Sequence, residues 1–391
     1  MTRVLAVADA DSYLKWSAAT LDRLPSDWDR RQLLITSPIT PSAEQSVAAT
    51  GGVVAELSLG ALSDLIRRDP PDVLLLACTG PTVRVLTGLR GARGRGRPVL
   101  VTGLPGISVP ASARAVDLRR GCDLLVVHSI RERAEFARLV RSDALGLRIA
   151  LSRLPFLSGG DTADAPRSGG DSGGSDVVFA AQAKVPPSRA DREAILLALA
   201  EVRPLGSAVV KVRALSGEQQ THREEHPYPD LWADLVAEGR VPSDAVRFRA
   251  GPISAALRSA RCLVTVSSTA ALEAMDADVP VVVLSDFGVD AAMINVVFSG
   301  SDCLGTLADV RAGRAFRPDP SWLAANYFHP AAEDDLTATL RELLVRRRAG
   351  LLLDRPRQRL LDRSRLRALV RLVLPARVGR TVAKIRSATD G

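Results

Sequence analysis

The stretch VTVSSTAALEAMDADVPVVVL, residues 264–284, decides the fold. It opens on an apolar run and meets three consecutive hydroxyl residues, Ser267, Ser268 and Thr269. A short helical segment carrying a single acid, Glu273, comes next. After a small-residue bend, Pro280 opens a run of nearly unbroken valine. Apolar runs without alternation are how strands buried on both faces of a parallel sheet read, and the helix between them is the crossover that parallel pairing requires.

The same alternation extends outward in both directions. Strands are expected at 3–8 (RVLAVA), 32–37 (QLLITS), 51–57, 72–78 (DVLLLAC), 98–104 (PVLVTGL) and 123–129 (DLLVVHS). Helical periods lie between them at 13–24, 59–68 and 130–145. In the second half, strands are expected at 176–183, 207–214, 246–251, 262–268 and, as the last, 279–285. Strands alternating with helices throughout give an α/β chain of two Rossmann-like, doubly wound domains. Between them, LSGGDTADAPRSGGDSGGSD (157–176) has almost nothing to bury and reads as a linker or loop. The expected organisation is an N-terminal domain at 1–157, a Gly/Ser/Asp-rich linker at 158–175, a second Rossmann-like domain at 176–330 and a helical basic tail at 331–391.

At 46% hydrophobic and 25% charged residues, the composition is that of an ordinary soluble globular protein. The N-terminal apolar run is too short for a signal peptide and no 18-residue apolar stretch occurs, so a cytoplasmic protein is expected. Cys78, Cys122, Cys262 and Cys303 are widely spaced without a CxxC pair and read as buried free thiols. Four histidines without metal-ligand spacing give no metal site. The net charge of +8 is concentrated at one end: residues 341–391 carry 15 Lys+Arg against 4 Asp+Glu, leaving the rest slightly acidic. A basic tail on an acidic body argues against specific nucleic-acid binding by the whole chain.

The hydroxyl cluster after the strand at 262–268 sits where a helix begins. Free N–H groups and the positive end of the helix dipole suit a phosphate there, and hydroxyls add donors without adding charge. Glu273, one turn on, is placed to accept hydrogen bonds from ribose hydroxyls. The same residues also fit an ordinary N-cap with a capping-box-like Glu273. No P-loop, no GxGxxG after the first strand and no GxSxG elbow occur, which removes P-loop ATPases, dinucleotide redox enzymes and α/β-hydrolases.

Strand, S/T cluster, short helix with Glu-Ala, and VPVVV resemble the donor-nucleotide segment of GT-B glycosyltransferases. More narrowly, they are similar to capsule-polysaccharide and sialyl- or Kdo-type transferases. The resemblance is architectural over 1–330 and specific around 264–284. It implies that Ser267, Ser268 and Thr269 hold the donor phosphate and Glu273 the ribose of a nucleotide-sugar, with no further cofactor. A second mark of those transferases is a strand ending in Lys-x-His-Pro. Here Lys211 matches, Arg213 stands where the histidine would be, and His226-Pro227 follows after a loop. Lys211, Arg213 and His222 are then the cations expected to offset the leaving phosphate.

In the first half, Asp9, Asp11 and Ser12 follow the first strand. An acid there suits deprotonation of an acceptor hydroxyl, the role the resemblance gives to this domain, with Asp9 or Asp11 as catalytic base. Asp11 also fits a plain N-cap. Thr79, Gly80, Gly103 and Gly106 lie in turns at further strand ends and fit an acceptor cleft or plain turns. His128 closes the next strand, as a catalytic residue of the cleft or a structural one.

The basic segment 341–374, strongly amphipathic at 357–374, fits either a helix packed on the first domain or one lying on an anionic membrane surface. Attachment to that surface is expected for 375–391. The expected activity is metal-independent transfer of a sugar from a nucleotide-sugar to a glycan or lipid-linked acceptor hydroxyl in cell-surface polysaccharide or glycoconjugate synthesis. The alternatives on the same fold are a nucleotide-sugar 2-epimerase, a polyol-phosphate transferase and a non-catalytic nucleotide- or sugar-binding protein.

Overall fold

The computed structural model describes residues 1–94, 96–141, 146–157, 174–202, 206–212, 224–353 and 363–373. The chain divides into two compact units, Met1–Phe156 with Pro330–Gly391, and Leu157–His329. Each is built on a fully parallel sheet, as the apolar runs require.

The first sheet contains β1 (Arg3–Ala8), β2 (Asp29–Ile35), β3 (Ala55–Leu57), β4 (Val73–Ala77), β5 (Val99–Gly103), β6 (Leu124–Val127) and β7 (Arg148–Leu151), in the order β3-β2-β1-β4-β5-β6-β7. The second contains β8 (Asp176–Ala180), β9 (Ser207–Lys211), β10 (Val246–Arg249), β11 (Ala260–Thr265), β12 (Val281–Leu284) and β13 (Leu304–Gly305), in the order β10-β9-β8-β11-β12-β13. Both orders are doubly wound. Each has one topological switch point, β1/β4 in the first sheet and β8/β11 in the second, where adjacent strands send their chains to opposite sides.

Two strands lie outside the expected set. β7 pairs with β6, and β13 adds a further strand beyond β12, which is therefore not the last. A helix at Ala43–Thr50, with Ser42 and Gln45 forming a capping box, is also additional. The cysteines are all buried and free, as their spacing suggested. Most of the expected linker, 158–173, lies outside the described residues.

The segment after residue 330 does not stand apart. Leu336, Leu340, Leu343 and Leu344 of the helix Leu336–Arg348 enter the core beneath β1, β4 and β5. Asp335 accepts the Leu151 N–H at 2.7 Å, and Asp334 accepts that of Arg153 at 3.0 Å. Arg347 donates to Asp72 at 2.6 Å and to the Arg97 carbonyl at 2.9 Å. Part of the tail's positive charge is thus spent inside the first unit. Residues 374–391 lie outside the described residues. Among the described residues no helix is long and apolar enough to cross a membrane.

Candidate functional site

Ligands of open α/β sheets bind beyond the carboxyl ends of the strands at the switch point. In the second unit, the segment after β11 occupies that position. Ser267 is buried, and its hydroxyl donates to the Ile294 carbonyl at 2.5 Å, so it holds a neighbouring loop instead of facing a phosphate. Ser268 and Thr269 are half-buried. The Ser268 Oγ accepts from the Ala270 N–H at 3.2 Å, and the Ser268 N–H donates to Thr265 Oγ1 at 3.1 Å. Thr269 is the N-cap of the helix Ala270–Asp276, but its backbone is αR and its side chain makes no cap bond. An ordinary N-cap with a capping box is therefore not what this junction is. Glu273 lies in the helix's first turn, half-buried.

The loop after β12 is tied down from several sides. Asp290 Oδ1 accepts the N–H groups of Ala292 and Met293 at 2.8 and 2.9 Å, and the buried Asn295 donates to the Gly288 carbonyl at 2.9 Å. Within it Ile294 has φ 60°, the left-handed region that a β-branched residue rarely enters and that costs about 1–3 kcal/mol. Ser267 fixes that peptide.

Arg192, which sequence reasoning missed, organises the same edge. It is 2% exposed, and its guanidinium donates to the Pro186, His226, Gln182 and Ala183 carbonyls and to Glu224. The same group lies over the Tyr228 ring, 4.9 Å from its centroid. All five N–H donors of the fork are used, and the segment after β8 is pinned to the segment before the helix Tyr228–Ala237. A signal was present: Arg192 falls in line with Ile195, Leu196 and Leu199 on the buried face of the helix Arg189–Ala200. Lys211 ends β9 in register with Ala180 and is half-buried. Arg213 and His222 lie outside the described residues.

In the first unit, Asp9 and Thr79 meet across the β1/β4 switch point. Asp9 is fully buried. It accepts the Thr79 N–H at 3.0 and 3.1 Å on its two oxygens and the Thr79 hydroxyl at 2.6 Å on Oδ2. Burial raises its pKa, partly offset by these donors. The Asp9 carboxylate therefore faces inward, which does not suit a base that must reach a bound hydroxyl. Asp11 is not an N-cap either: Ala10 holds that position, and Asp11 is the first helical residue of Asp11–Asp22. Its Oδ2 pairs with Lys15 at 2.8 Å, while Oδ1 is shielded and has no hydrogen-bond partner. Ser12 beside it is exposed.

His128 is 1% exposed with both ring nitrogens engaged. Nδ1 donates to the Ser152 carbonyl at 2.7 Å, and Nε2 accepts from Trp16 Nε1–H at 2.8 Å. Burial lowers its pKa to about 4, so the ring is neutral and structural, contrary to a catalytic role. Gly103 is explained by the same packing: a Cβ there would fall 2.3 Å from the Trp16 ring, so the glycine makes room for tryptophan and not for a ligand. Gly80 is buried at the start of the helix Gly80–Leu86. Gly106 sits in a half-buried turn, its carbonyl accepting from the Ser108 hydroxyl at 3.3 Å. Among the described residues no group of three or more His, Cys, Asp or Glu is placed to hold a metal ion.

Comparison with known proteins agrees with this architecture. S. aureus MnaA, in a co-structure with UDP, superposes with TM-score 0.54 at 9% identity, covering 91% of this chain and 99% of that one. A Methanocaldococcus jannaschii UDP-GlcNAc 2-epimerase in complex with UDP-GlcNAc and UDP superposes with TM-score 0.51 at 10% identity, covering 88% and 100%. At these identities the likeness establishes the GT-B-like fold. No curated protein matches the sequence. A family model does match, over residues 4–343: the chain belongs to the family described as "Putative glycosyltransferase (DUF6716)".

Proposed function

We propose that the protein transfers a sugar from a nucleotide-sugar donor to an acceptor hydroxyl. The family match over residues 4–343 carries this reading. It is supported by the doubly wound sheets and by two fold neighbours bound to UDP or UDP-GlcNAc. In this reading the donor lies at the β8/β11 switch point. The Ser268 and Thr269 hydroxyls receive the phosphates, and Glu273 receives the ribose hydroxyls. Lys211, Arg213 and His222 supply positive charge to the leaving group, with Ser267 and Arg192 holding the site's backbone.

The acceptor oxygen attacks the anomeric carbon, and the bond from that carbon to the phosphate oxygen breaks. The nucleotide leaves with the electron pair, and the hydroxyl proton passes to a base. Of the two candidate acids, Asp11 is the more accessible and is the proposed base. The reading requires no cofactor beyond the donor. Its finer form places the acceptor among glycans or lipid-linked saccharides of cell-surface polysaccharide synthesis, reached by a chain whose basic tail meets an anionic membrane face, and its sequence type among capsule, sialyl- or Kdo-type transferases.

A thermal-shift screen against UDP-, GDP-, dTDP- and CMP-sugars identifies the donor, since a ligand that binds the native state raises its stability. Product analysis with the labelled sugar then decides the chemistry. Label moved to an acceptor supports transfer. Label returned as the epimerised nucleotide-sugar establishes the 2-epimerase reading instead.

A further inference from the structure

The helix Arg363–Val373 has two apolar faces, and only one of them is used. Ala368 and Leu372, one turn apart, enter the core cluster that includes Val83 and Leu86 of the helix Gly80–Leu86. Arg365 runs along this seam with its guanidinium over Gly88, where a Cβ would fall 2.5 Å from Nη2. The opposite face carries Leu366, Leu369, Val370 and Val373, exposed at 54%, 37%, 44% and 64%. Their spacing of i, i+3, i+4 and i+7 places them in one stripe about 100° wide. Arg367 and Arg371, both exposed, lie along one side of that stripe.

The helix Leu336–Arg348 of the same unit is a useful contrast. It also buries leucines inward, but its exposed positions include Arg341, Glu342, Arg346 and Arg348 with a single large apolar residue among them, Val345, and no apolar stripe. A helix whose task ends at covering the core has no use for four large apolar residues on its outer face.

We propose that this outer face binds an anionic lipid surface, with Leu366, Leu369, Val370 and Val373 in the headgroup–acyl boundary and Arg367 and Arg371 reaching lipid phosphates. The charge argues for this occupant. Exposed arginines border the stripe on one side, and residues 374–391 add four Lys+Arg against one acid. Apolar area and attraction to anionic headgroups together determine how strongly such helices bind, and long cationic side chains extend from an apolar stem to the phosphate layer. The proposal deepens the membrane part of the function above and does not depend on glycosyl transfer.

The test is co-sedimentation of the full chain, without any nucleotide-sugar, on vesicles of phosphatidylglycerol with phosphatidylcholine and on phosphatidylcholine alone. The wild type is expected on the anionic vesicles only, with binding that weakens as salt rises. The variant L366S/V370S/V373S is expected to lose about ten-fold or more in partitioning while keeping its melting temperature, because the stripe lies outside the core. The variant R367Q/R371Q is expected to bind less and to show a weaker salt dependence. Three results overturn the proposal: a wild type that ignores both vesicles, an apolar-stripe variant that binds as well as the wild type, or a stripe whose removal dissolves a dimer without affecting vesicles. The last would assign the face to a second copy of this chain. Because no donor is present, failure here leaves the transferase reading untouched, and failure of the screen above leaves this one untouched.

Discussion

The two switch points of this molecule have the same topology and opposite chemistry. In the first sheet the polar groups at the strand ends have turned inward: Asp9, at β1/β4, is consumed by Thr79, and His128, after β6, is consumed by Trp16 and Ser152. At β8/β11 the inward work is done by Arg192 and Ser267, which leaves Ser268, Thr269 and Glu273 half-buried at the sheet edge. The difference teaches that a polar residue at a strand end is not in itself a site.

The largest effect that can break this comparison is at Arg192. R192M leaves Glu224 and four carbonyls without their donor in a buried place, and is expected to cost about 3–5 kcal/mol in urea denaturation. A neutral result would mean that the second edge is held by something else. R192K is not expected to rescue it, since an ammonium cannot replace a five-donor fork.

Next is the pH dependence from His128. Its folded pKa of about 4 lies below the ordinary 6.5. As pH falls, the unfolded chain takes up the proton first, so stability is lost between about pH 6.5 and 4 and the loss then levels off. The total is on the order of 3 kcal/mol. Asp9 has the opposite sign: its folded pKa is raised, so its neutral form favours the native state at low pH and that advantage is lost as pH rises through the folded value. H128Q should flatten the acid limb of a stability–pH profile. An unchanged limb would show that His128 does not stand neutral in the first edge.

G103A is expected to cost about 1–3 kcal/mol by driving a methyl group into Trp16, read as a drop in melting temperature. Full stability, with acceptor kinetics altered instead, would return Gly103 to the acceptor cleft. The smallest stability effect is expected at Glu273, on the half-open edge. E273A should leave the melting temperature nearly unchanged while weakening donor binding about 10- to 100-fold, the loss of a hydrogen bond to a charged group. D11N, by contrast, should lower turnover more than donor affinity.

Most of the fold was legible because parallel strands buried on both faces leave short runs such as VLLLA and VVVL, rich in β-branched and aliphatic residues and bounded by proline and polar residues. β1 is found where its apolar run lies, at Arg3–Ala8. β13 escaped because two residues carry no periodicity, and β7 because RIAL is short and opens on an arginine. The site was less legible for a physical reason. Which polar residues are free depends on partners distant in sequence: Thr79 is 70 positions from Asp9, and Trp16 is 112 from His128. A strand-end acid and a strand-end histidine look available until those partners are placed. Arg192 was hidden the other way, since a charged residue in a helix reads as solvated unless its place on the apolar stripe is noticed.

The central claim is that the second unit's switch point receives a nucleotide-sugar. Calorimetric titration of UDP-, GDP-, dTDP- and CMP-sugars into the wild type and into E273A tests it most directly. The account predicts saturable binding of at least one donor to the wild type and binding weakened about 10- to 100-fold in E273A at unchanged melting temperature. No binding of any donor, or equal binding by both proteins, would contradict it.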